Sequence, residues 1–169
     1  AGMSSPLLQL EAVTMQFGGL RCISDFSFSV GDGQLVGLLG PNGAGKTTVF
    51  NLITGVYRPT AGKIAFAGKS VIGHRPYRIT ARGIARTFQN IRLFGSMSVF
   101  DNTRTATQLH RARGMVNALW RGSSFRTGEA EVEKHVMELL DIFELGPVRH
   151  ELAKSLPYGD QRRLEIVRA

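Results

Sequence analysis

The chain holds a single cysteine, Cys22, and has no long apolar run. One cysteine excludes an intramolecular disulfide and a cysteine-based zinc site, and leaves Cys22 to be read as a small strand residue. No stretch approaches the roughly 20 apolar residues of a membrane-spanning helix, and no charged-then-apolar leader opens the sequence. Together these absences point to a cytoplasmic protein, soluble or peripheral on a membrane surface. Acids are also scarce, 13 against 21 lysines and arginines, for a net charge of +8. Internal repeats and low-complexity tracts are lacking as well. What remains suffices for one compact domain, since 43% of the 169 residues are hydrophobic. Ala1-Gly2 ahead of Met3 reads as a tag remnant, and residues 1–6 as a tail outside the fold.

The surplus of positive charge is concentrated. Between Arg75 and Arg126 there are ten arginines and one acid, Asp101, a balance of +9, whereas the rest of the chain sums to −1. Such a segment suits an anionic partner: a membrane surface, acidic loops of another protein, or nucleic acid. Arginines spread over a solvated face are the plainer reading. A nucleotide-regulated nucleic-acid-binding module is an alternative for the whole chain, with Phe88, Phe94, Phe100, Trp120 and Phe125 as stacking platforms.

One stretch carries a specific chemical pattern. Gly40-Pro41-Asn42-Gly43-Ala44-Gly45-Lys46-Thr47-Thr48 has a glycine, four free positions, then Gly-Lys-Thr, the pattern of a phosphate-binding loop. Leu35 to Leu39 before it is an apolar run of buried-strand type, and Thr47 to Ile53 after it reads as a helix that Gly55 can end. Strand, loop and helix thus fall in the order the motif needs. Glycines let successive backbone N–H groups converge on phosphate oxygens, and the helix N-terminus adds partial positive charge. Lys46 would sit on the β and γ phosphates and the Thr47 hydroxyl on Mg²⁺. A glycine-rich turn with a solvated lysine is the competing reading.

Around this loop, Leu8 to Phe17 reads as a first strand ending at Gly18-Gly19, and Phe26 to Val30 as a half-buried strand. An antiparallel opening therefore feeds a parallel nucleotide-binding sheet. Lys63 to Phe66 is a short strand between turns at 59–62 and 67–69. Arg75 to Arg82 suggests a short helix, and Ile84 to Phe88 a further strand delivering Gln89. Ser98 with Asp101 marks a helix start that runs through Val99 to Leu109. Residues 110–128, rich in Arg, Gly and Ser, read as a mobile basic insertion. From Glu129 a helical stripe of Val132, Val136, Leu139, Leu140 and Phe143 is stopped by Gly146-Pro147. The regularity of that stripe makes Asp141 a surface residue and not the strand-end acid of a second nucleotide motif.

With the phosphate loop, Gln89 and the closing Leu156-Pro157-Tyr158-Gly159-Asp160-Gln161-Arg162-Arg163-Leu164-Glu165-Ile166, the chain resembles the ATP-binding subunits of ABC transporters. The narrower resemblance is to the branched-chain amino-acid type, carried by Phe17-Gly18-Gly19-Leu20, Gly40 to Asn51, Arg86 to Phe94 and Tyr158 to Ile166. It runs from about Leu7 to Ala169 and is weak only over Arg111 to Arg126. The fold it implies is an α/β P-loop NTPase with an antiparallel β subdomain, a partial parallel core sheet and a helical subdomain. Its divisions would be a nucleotide-binding core at 7–95, a helical subdomain at 96–158 and a signature helix at 159–169.

The resemblance also implies roles. Phe17 would stack on adenine, with a core phenylalanine as the plain alternative. Gln89 would reach Mg²⁺ and the attacking water, and Ile91 to Phe94 would lie near the groove for a permease's cytoplasmic helices. Tyr158, Gly159, Asp160 and Gln161 would meet the γ-phosphate of ATP held by a second ATP-binding subunit, same or related. Here the sequence departs from Leu-Ser-Gly-Gly-Gln: Pro157 replaces the serine, Tyr158 the first glycine and Asp160 the glutamine, and an acid near phosphate needs Mg²⁺ or a basic neighbour. The family's catalytic glutamate, the aspartate before it and the switch histidine would fall beyond Ala169. The expectation is a chain that binds Mg·ATP, hydrolyses it poorly, exposes a sheet edge, and works at the inner membrane face on an amino-acid permease.

Overall fold

The structure, a computed structural model, describes residues 5–87, 90–111 and 123–169, the side chains of 108–129 excepted. The chain divides into two compact units, Ala1–Ile84 and Ala85–Ala169.

The first unit is built on a four-stranded antiparallel sheet. It comprises β1 (Leu8–Phe17), β2 (Leu20–Val30), β3 (Ala61–Phe66) and β4 (Lys69–Ser70), in the order β2-β1-β3-β4. Strand β1 is central because both of its edges are paired, and its inward residues are Leu10, Val13 and Met15. The three-residue step from Leu10 to Val13 breaks a strict alternation of period two. A bulge resets the pleat there, with Ala12 at φ +47° and the pairing shifting between Leu10 and Val13. Gly62 of β3 presses on that bulge: a Cβ on it would lie 2.4 Å from the Ala12 carbonyl oxygen, so no other residue fits. Strand β2 starts at Leu20, earlier than the Phe26 that alternation alone marks, and it takes in Cys22.

Helix α1 (Lys46–Ile53) and the short α2 (Pro76–Thr80) contribute Val49, Leu52, Ile53 and Ile79 to one hydrophobic cluster with Leu10, Val13, Ile23, Ile64 and Val71. Pro76 opens α2, where its missing N–H costs no helical bond. Among the described residues the expected parallel sheet is not formed. Leu35–Leu39 and Ile84–Thr87 belong to no ladder. A strand exists only through a paired neighbour, and neither run is hydrogen-bonded into a ladder with a described segment. Leu35 and Leu39 are accordingly exposed, at 101% and 93%.

The second unit is helical. Helices α3 (Val99–Arg111), α4 (Ser123–Ile142) and α5 (Tyr158–Arg168) are joined by 3₁₀ turns at Gly146–Val148 and Ala153–Ser155. Its core is Val99, Val136, Leu140, Leu145, Ala153, Leu156 and Leu164. The start of α3 is capped as the sequence suggests: the Asp101 N–H donates to Ser98 Oγ at 3.0 Å, and that hydroxyl donates to Asp101 Oδ2 at 2.6 Å. The stripe of α4 buries Val136 and Leu140 and leaves Asp141 on the surface. Part of the segment expected to be irregular is helical, at 110–111 and 123–128, and residues 112–122, Trp120 among them, lie outside the described residues. Gly128 does not stop α4, because a single interior glycine costs only about 1 kcal/mol, which packing further along the helix offsets.

Candidate functional site

The phosphate-loop pattern is shaped by two glycines in the left-handed region. Gly43 has φ +85° and Gly45 φ +82°, and the Ala44 N–H closes a turn on the Pro41 carbonyl at 3.2 Å. Gly45 is the N-cap of α1, and its carbonyl accepts the first helical bond from Val49 N–H at 2.9 Å. The first turn has no acidic residue and no side-chain cap. The N–H groups of Lys46, Thr47 and Thr48 therefore carry the helix's positive end unneutralised at the loop. Lys46 folds back over the loop, donating to the carbonyls of Gly40 at 2.5 Å and Pro41 at 2.6 Å. An ammonium has a further N–H beyond those two. Donors converging from a glycine loop, a helix end and a lysine can recognise a polyanion.

A cleft of about 270 Å³ adjoins the loop, with Ala44, Lys46 and Val49 on one side and Cys22, Ile23 and Ser24 of β2 on the other. Among the described residues no acid or histidine lines it. The Thr47 side chain is exposed at the second helical position, which makes its hydroxyl available as an oxygen ligand. Among the described residues no group of three His, Cys, Asp or Glu side chains could hold a metal ion. The oxygen chemistry here fits Mg²⁺ of the kind that takes few protein ligands and completes its shell with phosphate and water.

Phe17 ends β1 at the Gly18-Gly19 turn and is 40% exposed. Its ring meets Tyr57 edge-on, with centroids 5.1 Å apart and planes at 76°. Sequence reading passed over Tyr57, since nothing in the chain marks two such distant positions as neighbours. Phe88 and Gln89 lie outside the described residues.

The signature-like stretch forms α5, with Pro157 as N-cap and Tyr158 as its first residue. Gly159 has open space around it. Asp160 does have a basic neighbour: Arg163 Nη1 lies 3.6 Å from its carboxylate and also reaches Glu144 at 3.3 Å. Tyr158 is held by Arg162, whose Nε donates to the phenol oxygen at 3.0 Å and whose guanidinium lies 5.3 Å from the ring centre. The Arg162 guanidinium is raised above its ordinary value, chiefly by that bond. Gln161 turns inward, its Nε2 donating to the Leu156 carbonyl at 2.8 Å.

A buried polar residue that sequence reading did not single out is Asn102. Its Oδ1 accepts the Phe94 N–H at 3.0 Å, and its Nδ2 donates to the carbonyls of Phe94 and Ser98, each at 3.0 Å. Arg168, from the end of α5, lies over the Phe94 ring at 4.5 Å and donates to the Arg92 carbonyl. Burial pushes this guanidinium below its ordinary value. Residues 92–98 are thus gripped from α3 and α5. Of the stacking platforms in the nucleic-acid alternative, Phe100 packs against this unit's core and Phe94 is 46% exposed with Arg168 over its ring, while Phe88, Trp120 and the Phe125 side chain lie outside the described residues.

Known proteins resemble this chain. The chain is 40% identical over 166 residues to the high-affinity branched-chain amino acid transport ATP-binding protein BraF of Pseudomonas aeruginosa, covering 98% of this chain and 65% of that protein. It is 39% identical to LivG of Escherichia coli K12, a protein of the same description, with the same coverage. The chain therefore spans 65% of the length of these curated relatives. Among solved structures, an ATP-binding cassette of an ABC transporter in its ADP conformation superposes with a TM-score of 0.78 at 27% identity, over 98% of this chain and 64% of that one. The family described as ABC transporter matches residues 23–169, which include both the phosphate loop and α5, and the chain belongs to that family.

Proposed function

We propose that this chain is the nucleotide-binding part of an ATP-binding subunit of an ABC importer, serving uptake of amino acids, of the branched-chain kind by its likeness to BraF and LivG. The observation that carries the reading is the uncapped N-terminus of α1 behind a left-handed glycine loop, with the Lys46 ammonium folded over it. Gly40 to Thr48 hold the phosphates of ATP, Lys46 supplies charge at the β and γ phosphates, and the Thr47 hydroxyl is the protein's ligand to Mg²⁺. When bound, that ion neutralises developing phosphate charge. Phe17 offers its ring to adenine. Gln89 positions Mg²⁺ and the attacking water and, with Lys46, is the chain's catalytic contribution.

Tyr158, Gly159, Asp160 and Gln161 face nucleotide held by a second ATP-binding subunit. The Arg163 contact supports this placement, because it shares the charge of Asp160 that would otherwise repel phosphate. No described helix is long and apolar enough to cross a membrane; the place proposed for the chain is peripheral, at the inner membrane face beside permease subunits. Slow turnover by the 169-residue chain is part of this proposal; among the described residues no acid or histidine lines the cleft at the loop, and water positioning rests on Gln89.

Calorimetric titration of the chain with Mg·ATP tests this. Binding is expected, with Lys46→Ala weakening it by about tenfold or more and leaving the circular dichroism unchanged. A Lys46→Ala protein that binds as well as the parent chain, or a folded parent chain that does not bind, overturns the reading.

A further inference from the structure

We infer that Tyr57 is a positioning residue for the nucleobase, holding the Phe17 ring in the orientation in which one face is open. The inference rests on the nucleotide reading above. Phe17 and Tyr57 are both partly exposed, at 40% and 37%, so neither ring is there to fill the core. They nonetheless meet at 5.1 Å and 76°, the edge-to-face geometry that aromatic quadrupoles favour. A half-exposed phenylalanine at a strand end is otherwise free to change rotamer, and a mobile ring loses more entropy when a flat ligand settles on it. A neighbour that fixes it beforehand removes part of that cost.

Both partners of the pair are themselves anchored. Next to Phe17, the Gln16 N–H donates to Thr60 Oγ1 at 3.1 Å, and the Gln16 side chain closes the turn on the Gly18 carbonyl at 2.7 Å. The Tyr57 N–H donates to the Asn51 carbonyl at 3.1 Å, beside a matching bond from Val56 at 2.9 Å. Both are made possible by Gly55 at φ +71° where α1 ends. Tyr57 is thus tied to α1, the helix whose other end is the phosphate loop. Eight residues make that helix about 12 Å long. The phosphate donors and the aromatic support are therefore fixed to the two ends of one rigid element. Base and phosphates would be gripped in a set relation, which a ring on a loose loop could not provide.

The test compares Mg·ATP with Mg·tripolyphosphate, a probe with no base, by calorimetry on the whole chain. Tyr57→Ala is expected to raise the ATP Kd by about three- to tenfold while leaving the tripolyphosphate Kd within about twofold. Tyr57→Phe, which keeps the ring, should bind ATP like the parent chain, and Tyr57→Ala added to Phe17→Ala should do no further harm. Equal weakening of both ligands by Tyr57→Ala would reduce the residue to a general structural role and overturn the inference. So would unchanged ATP binding, or independent additive losses in the double variant. Binding of both probes without any effect of Tyr57 removes this inference alone. Binding of neither probe removes the nucleotide reading, and this inference with it.

Discussion

At the scale of single residues, the glycines of the loop are not equivalent, and the difference can be measured. A Cβ on Gly45 would sit 3.0 Å from the Cys22 carbonyl oxygen and 3.3 Å from Ile23 Cγ1, at φ +82°. One on Gly43 would meet nothing within 4 Å, at φ +85°. Gly43→Ala therefore bears only the cost of a left-handed alanine, about 1 kcal/mol. Gly45→Ala adds a collision with backbone that belongs to β2, and should lose about 2–4 kcal/mol by urea unfolding, together with most of its ATP affinity. Equal midpoints for the two variants would show that β2 yields freely. The motif spacing announced both glycines, because a phosphate loop is a local feature whose geometry is written in adjacent residues. Tyr57 and Asn102 could not be found that way. Each acquires its role from a partner elsewhere in the chain, and a tyrosine after a helix or an asparagine inside one has no distinguishing spacing.

At the scale of elements, Asn102 decides how residues 94–98 join α3. Its amide satisfies the Phe94 N–H and the carbonyls of Phe94 and Ser98 while being fully buried. Asn102→Ala leaves the Phe94 N–H without its partner, while the carbonyls of Phe94 and Ser98 keep the backbone N–H groups of Met97 and Asn102, and it should cost about 1–3 kcal/mol. Ser98→Ala, which removes the cap on the Asp101 N–H and the hydroxyl's own bond to the Asp101 carboxylate, should cost about 1 kcal/mol. Because Asn102 also binds the Ser98 carbonyl, the two losses should couple in the double variant; strict additivity in urea unfolding would contradict one shared network. Elements with local signals were legible: β1 ends at Phe17 where Gly18-Gly19 turns the chain, and α3 starts after Ser98. Those set by distant partners were not. Strand β2 extends back to Leu20 because β1 pairs with it there, although its early residues show no alternation. The runs 35–39 and 84–87 have strand composition without a ladder, since composition makes a residue suitable for a sheet and only a neighbour makes it a strand.

At the scale of the whole molecule, that missing ladder has a colloidal consequence. Leu35 and Leu39 are almost fully exposed and Val36 is 44% exposed, in an apolar run that joins no ladder directly ahead of the phosphate loop. Such a segment offers unpaired backbone donors and acceptors alongside apolar side chains, the combination by which sheet edges recruit other chains. The net charge of +8 opposes association at low salt, and screening shortens that repulsion as salt rises, to about 8 Å at 0.15 M. Self-association of the chain should therefore grow with both protein concentration and ionic strength. Replacing Leu35 and Leu39 together by lysine should suppress it, since charge on an edge is unfavourable to bury against a second copy. Light scattering across a salt series reads this directly. A parent chain that stays monomeric at high concentration and high salt, or a double-lysine variant that associates just as strongly, would mean that this run is shielded in solution and that contacts elsewhere govern assembly.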